Sequence, residues 1–265
     1  MANRVIDVSR FNGTIDFNKV KADGIWGVII KAGVTGYGAS HAMYKDDNFD
    51  RNYSAAKAAG LHVGAYYYSG AMSEEFAVKE AKYFLSIISG KQFDLPVYMD
   101  VEEEHSPTNM PGLGRDKLTA IVKKWCQTVE DAGYYTGFYT AKSWCQAYLN
   151  MSDLSEFTLW LAHWTSQTDY TGAFGMWQYS STGKVDGISG NVDMNYCYMN
   201  FPSIIKTAGL NGYKKEEPAE PQEPQKLYTL TISPLSEYNV KRLTKLLAEN
   251  KFYGKVTEVT DDAGK

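Results

Sequence analysis

Cysteine is scarce: Cys126, Cys145 and Cys197 are the three in 265 residues. An odd number at wide spacing suits neither a disulfide framework nor the close pairs of a zinc site, so all three read as free thiols. Charge of one sign is scarce as well. A net charge of −4 leaves no basic surplus to neutralise a phosphate backbone, which argues against nucleic acid as a partner. No run approaches the roughly 18 consecutive apolar residues of a membrane span, so no membrane partner is expected. The four histidines, His41, His62, His105 and His163, lack ligand spacing, and no metal is expected. The opening Met1-Ala2-Asn3-Arg4-Val5-Ile6-Asp7 meets charge too early for the apolar stretch of a secretory signal, so synthesis in the cytoplasm without a signal peptide is expected.

Aromatic residues, by contrast, are abundant. Twenty tyrosines and six tryptophans bring the aromatic fraction to 14%, more than a core needs. Such rings pair an apolar face with a polar edge, which suits sugars as ligands. From Val5 to about residue 200, short β-branched or aromatic runs alternate with stretches of helical spacing. Strands are expected over 5–9, 26–32, 61–69, 96–102, 134–140, 159–164, 175–180 and 192–197. Helices are expected over 48–59, from Ser73 onward, and over 115–132, where Leu118, Ile121, Val122, Trp125 and Val129 form one stripe. Eight strands in βα units point to an α/β fold, a TIM-type barrel made irregular by weakened helices in its last third. An open doubly wound sheet is the alternative, but no Gly-rich phosphate loop follows the first strand.

Near residue 213 the composition changes. Residues 213–226 hold three of the eight prolines among charged and polar neighbours and read as an extended linker. The chain thus divides into a barrel over 1–212, the linker, and a small unit over 227–265. That unit reads as β-α-β, with strands over 227–233 and 253–259 around an amphipathic helix over 236–249. About 40 residues is the limit below which a domain seldom folds alone, so this piece is expected to dock on something or to pair with a copy of itself.

The most informative run is Val97-Tyr98-Met99-Asp100-Val101-Glu102. Strand side chains alternate faces, so Asp100 and Glu102 point the same way from backbones about 6.6 Å apart. Barrel exteriors must be apolar to meet the helices. Val97, Met99 and Val101 therefore face out, and the two acids face the axis at the strand's C-terminal end, where barrel enzymes carry their chemistry. The competing reading is the polar start of a loop, as Glu103 and Glu104 suggest. Asp7 in the first strand and Asp193 in the last also interrupt apolar runs, and those strands are neighbours in a closed barrel. Crowding raises the pKa of at least one acid and leaves a proton donor beside ionised neighbours, as glycoside hydrolysis requires. The same alternation turns Tyr66 and Tyr68, Tyr139 and Trp164 inward beside the acids. For any single ring, core packing is the competing explanation.

These residues carry a resemblance. Asp7-Val8-Ser9, Ile30-Lys31-Ala32, Gly64-Ala65-Tyr66, Asp100-Val101-Glu102, Gly137-Phe138-Tyr139-Thr140, Trp177-Gln178-Tyr179-Ser180, Gly187-Ile188-Ser189-Gly190 and Val192-Asp193-Met194-Asn195 occur in the order seen in glycoside hydrolase family 25. The chain resembles those lysozymes over about residues 3–200. One departure is Gly33-Val34-Thr35 after Ala32, where many members have Thr-Glu-Gly. The resemblance implies a muramidase without cofactor that cleaves the β-1,4 bond from N-acetylmuramic acid to N-acetylglucosamine in bacterial peptidoglycan. It makes Glu102 the acid/base and Asp100 its partner, with Asp7 and Asp193 completing the acidic cluster. Asp100 then either attacks or positions the substrate's own N-acetyl group. Tyr66, Tyr139, Trp164 and Gln178 are the expected substrate contacts. Linker and small C-terminal unit are similar to those of phage endolysins, which wait in the host cytoplasm before acting on the cell wall; the unit then binds wall or forms a homodimer. The other classes considered are a peptidoglycan-binding protein without turnover and a chitinase-like glycosidase.

Overall fold

The computed structural model describes residues 2–36, 41–102, 110–215 and 240–245. Among them the strands are β1 (Asn3–Val8), β2 (Gly27–Thr35), β3 (Met43–Lys45), β4 (His62–Tyr68), β5 (Val97–Asp100), β6 (Thr136–Ala141), β7 (Thr158–Ala162), β8 (Met176–Gly183) and β9 (Val192–Cys197). The helices are α1 (Phe17–Ala22), α2 (Phe49–Ala58), α3 (Glu74–Ile88), α4 (Arg115–Glu130), α5 (Lys142–Ala147) and α6 (Phe201–Ala208). The strands pair in the order β1-β9-β8-β7-β6-β5-β4-β2, and β1 also pairs with β2, so eight strands close into a barrel. β3 lies outside this ring, antiparallel to the end of β2, and was not anticipated from the sequence.

The barrel departs from the parallel TIM pattern at one strand. β9 runs antiparallel to both β8 and β1. Only residues 184–191 join β8 to β9, with Gly187 and Gly190 at positive φ. A parallel return needs a crossover of a dozen or more residues, so this connection can only reverse the chain. The reversal places the start of β9, and with it Asp193, at the same end of the barrel as the C-terminal ends of the parallel strands.

Two apolar layers follow from strand alternation. Val28, Ile30, Val63, Ala65, Val97, Met99 and Phe138 pack outward under the helices. Val5, Ile29, Tyr98, Tyr139, Trp160 and Met176 fill the barrel interior. The α4 stripe of Leu118, Ile121, Val122, Trp125 and Val129 is fully buried in the outer layer. α3 begins where Ser73 accepts a hydrogen bond from the Phe76 amide, a side-chain N-cap followed by Glu74 and Glu75 in the first turn.

The chain separates into two compact units, Met1–Glu217 and Pro218–Lys265. In the second, residues 240–245 are helical. The expected strands over 227–233 and 253–259, the rest of the helix over 236–249 and the linker from 216 on lie outside the described residues. So do Glu103, Glu104, His105 and the segment 37–40. Among the described residues no helix is long and apolar enough to cross a membrane.

Candidate active site

At the end of the barrel where the parallel strands finish, one cavity of about 350 Å³ is lined by Asp7, Tyr66, Asp100, Glu102, Tyr139, Trp160, Trp164, Gln178, Ser181 and Asp193. All eight residues singled out as catalytic or substrate-binding lie on its wall. Asp7 comes from β1, Asp100 from the last position of β5, and Asp193 from the start of β9, in register opposite Asp7. Glu102 lies two residues beyond β5. The segment that carries it stays extended because the Val101 amide donates to the Tyr139 carbonyl (2.9 Å) and the Thr140 hydroxyl to the Val101 carbonyl (2.8 Å).

Two amide side chains organise the floor. Asp7 Oδ2 accepts from Asn195 Nδ2 at 2.8 Å and Gln178 Nε2 at 3.1 Å. On the other side of each amide, Gln178 Oε1 accepts from the Tyr139 hydroxyl and from Trp164 Nε1, both at 2.9 Å, and Asn195 Oδ1 accepts from Trp160 Nε1 at 2.7 Å. Phenol and indole donors thus turn both amides so that their NH₂ groups face Asp7. Burial pushes the Asp7 carboxyl up to about 6, against hydrogen bonds from Asn195, Gln178 and Asp193 that pull it down; the charge of Glu102 adds to the rise. Tyr66 and Tyr139 are held well above the ordinary phenol range by burial and then by the surrounding carboxylates, so both remain hydrogen-bond donors.

Trp164 sits at the rim of the site. It lies beyond the end of β7 and is 55% exposed, yet it lines the cavity with the acids and its indole N–H reaches the buried Gln178. The tryptophan buried within β7 itself is Trp160. Four contributors were not singled out from the sequence: Trp160, Ser181, Asn195 and Lys31. Strand alternation carries the signal for three of them, since Trp160 shares a face with Ala162, Asn195 with Asp193, and Lys31 with Ile29; Ser181 follows a register shift in β8 that the sequence does not display.

Four carboxyl groups converging on one cavity walled by aromatic rings, with the buried Asp7 raised in pKa among them, are the equipment of glycoside cleavage. The sequence pattern of Glycosyl hydrolases family 25 matches residues 6–188. The chain belongs to that family. It is 34% identical over 205 residues to lysozyme M1 of Streptomyces globisporus, covering 72% of this chain and 66% of that protein, so it spans just under two thirds of that relative's length. Among solved structures, it resembles the bacterial lysozyme of Streptomyces coelicolor with a TM-score of 0.66 at 28% identity, over 78% of this chain and 97% of that one. The CTP1L endolysin gives the same TM-score at 28% identity, over 77% of this chain and 69% of that one.

Proposed function

We propose that the protein is a peptidoglycan hydrolase of the lysozyme type that cuts the β-1,4 bond from N-acetylmuramic acid to N-acetylglucosamine. The observation that carries this reading is the convergence of Asp7, Asp100, Glu102 and Asp193, from three separate strands, on one aromatic-walled cavity. Glu102, at the mouth and half-buried, donates a proton to the leaving glycosidic oxygen and then activates water as a base. Asp100 stabilises the positive charge that develops at the anomeric carbon, either directly or by holding the substrate's N-acetyl group. Asp7 and Asp193, linked to each other by a side-chain hydrogen bond, set the charge of the floor. Tyr66, Tyr139, Trp164 and Gln178 bind the sugars.

Reducing-end analysis of purified cell walls tests both the reaction and the bond. Muramic acid at the new termini supports the reading, and N-acetylglucosamine there overturns it. Glu102→Gln should lower the rate by about 10²-fold or more, the usual contribution of a general acid. Unchanged clearing of wall turbidity by this variant would remove Glu102 from its role, and binding without clearing by the wild type would favour a non-catalytic wall-binding protein. We further propose that the host-cell role is that of a phage endolysin, supported by the likeness to the CTP1L endolysin. Two lysozymes of Streptomyces among its relatives favour a bacterial wall enzyme as the second reading. Expression inside a bacterial host separates the two: an endolysin leaves cells intact until a membrane pore former is added, then lyses them abruptly.

A further inference from the structure

Four carboxyl groups around one small cavity repel one another, and such crowding favours proton uptake by any of them. The barrel sets a cation against them from β2. Val28, Ile30 and Ala32 of that strand pack outward, so Ile29 and Lys31 face the axis. Lys31 is the last of this inward series because a bulge follows at once. The register with β4 slips between Lys31 and Gly33, and past it Thr35 bonds outward to the Tyr67 hydroxyl and the Glu80 carboxylate. Of the two Lys or Arg residues in the eight barrel strands, Arg4 shares the outward face of β1 with Ile6 and Val8, and Lys31 faces in.

Its surroundings come from every neighbouring element. From β4, the Tyr68 ring centre lies 4.8 Å from Nζ and the Tyr66 ring centre 5.7 Å away. Tyr66 is its register partner and lines the cavity, and Tyr68 is in register with Asp100. The carboxylates whose charge reaches it are Asp100, then Asp46 just past β3, then Glu102, and Arg10 beyond β1 opposes them. Burial drives the ammonium below the ordinary lysine range, and these three acids push it back.

We propose that Lys31 is a positioning residue for the glycosidase reaction: its ammonium, seated against the Tyr66 and Tyr68 rings, holds Asp100 as a carboxylate so that the catalytic proton resides on Glu102. The proposal rests on the roles given to Asp100 and Glu102 above. Removing the charge lets Asp100 compete for that proton, so fewer molecules hold the productive arrangement as the pH falls.

Full-length Lys31→Met and Lys31→Arg proteins test this by kcat/KM against pH on soluble glycan fragments, with melting curves to verify folding. The acid limb of Lys31→Met should move upward by about one pH unit or more, the shift an opposite charge at close range produces. The loss should fall on kcat more than on KM, and Lys31→Arg should keep the limb at the wild-type position. An unmoved limb in Lys31→Met, or one displaced equally in Lys31→Arg, would overturn the proposal. Titration of the Asp100 carboxyl by carbon-13 NMR, in the free wild type and in Lys31→Met, reads the same charge effect without turnover, and coincident curves there reject it. If the wild type releases no reducing ends, the hydrolase reading fails while the carbon titration still decides Lys31. Lys31→Gln replaces Lys31→Met if the apolar variant does not fold.

Discussion

Trp164 shows how a single residue of this site can be exposed and yet fixed. Its indole N–H is held by Gln178 Oε1 while 55% of the residue stays open to solvent. A pre-placed ring of this kind offers a sugar an apolar face at little ordering cost. Trp164→Ala should therefore raise KM about five-fold, corresponding to about 1 kcal/mol, with kcat and melting temperature nearly unchanged. Steady-state kinetics on soluble glycan fragments check it, and a loss confined to kcat would rule out a platform role. The acids were legible in the sequence because each interrupts an apolar run: Asp7 between Ile6 and Val8, Asp100 between Met99 and Val101, Asp193 between Val192 and Met194. Trp160 and Asn195 face the same way, but a tryptophan in an apolar strand does not stand out, and an amide reads as neutral until its partners are known.

Among the elements, α3 carries a buried acid outside the cavity. Glu80 Oε1 accepts from the Gly70 amide at 2.8 Å and the Thr35 hydroxyl at 2.5 Å, and Oε2 from the Ser69 hydroxyl at 2.5 Å, so one carboxyl ties together the ends of β2 and β4. Burial pushes it up to about 7, more than those hydrogen bonds pull it down. The fold therefore favours protonated Glu80. Its contribution to stability is complete below the ordinary carboxyl value of 4.5 and is lost as the pH rises to about 7, roughly 3 kcal/mol in all. Asp7 acts with the same sign between 3.8 and about 6. Melting temperatures between pH 4.5 and 7.5 should fall in the wild type and fall less in Glu80→Gln; parallel curves would contradict this. β3 and α5 escaped the sequence reading because three and six residues are too few to show a period. α6 left signals that were not used: Asn200 caps it by accepting from the Ser203 amide, Pro202 sits in its first turn, and Gly209 closes it with a left-handed turn.

The first compact unit extends past residue 212. Asn211 is fully buried, accepting from the Tyr135 amide at 2.6 Å and donating to the Leu95 carbonyl at 3.0 Å. The Tyr213 hydroxyl donates to Asp94 at 2.8 Å, where Lys57 (2.7 Å) and Lys206 (3.3 Å) also gather. Burial works against the charge of Asp94, but hydrogen bonds from His62, Lys57 and Tyr213 hold its carboxyl well below the usual range. A chain ending at residue 217 should therefore melt with the full-length barrel, whereas one ending at 209 loses the buried Asn211 links and should be less stable by about 2 kcal/mol or more. Thermal unfolding of both truncations decides, and equal melting temperatures would sink the idea. For the unit over 218–265 we expect wall binding. Its removal should reduce sedimentation with purified walls at unchanged mass per chain in light scattering, and a halved assembly mass would assign it to dimerisation.

The sequence by itself determined the α/β barrel and the inward set of acids, because alternation and helical period are local properties that each strand or helix displays before it finds a partner. Tertiary structure alone decided what surrounds those acids. Closing the ring brought Gln178 and Asn195 to Asp7, although 171 and 188 residues separate them in the chain. It also reversed β9 so that Asp193 meets Asp7, and set Lys31 against the Tyr66 and Tyr68 rings at a bulge. The direction of an amide and the charge of a buried carboxyl depend on partners across the barrel, and those exist only once the chain has closed.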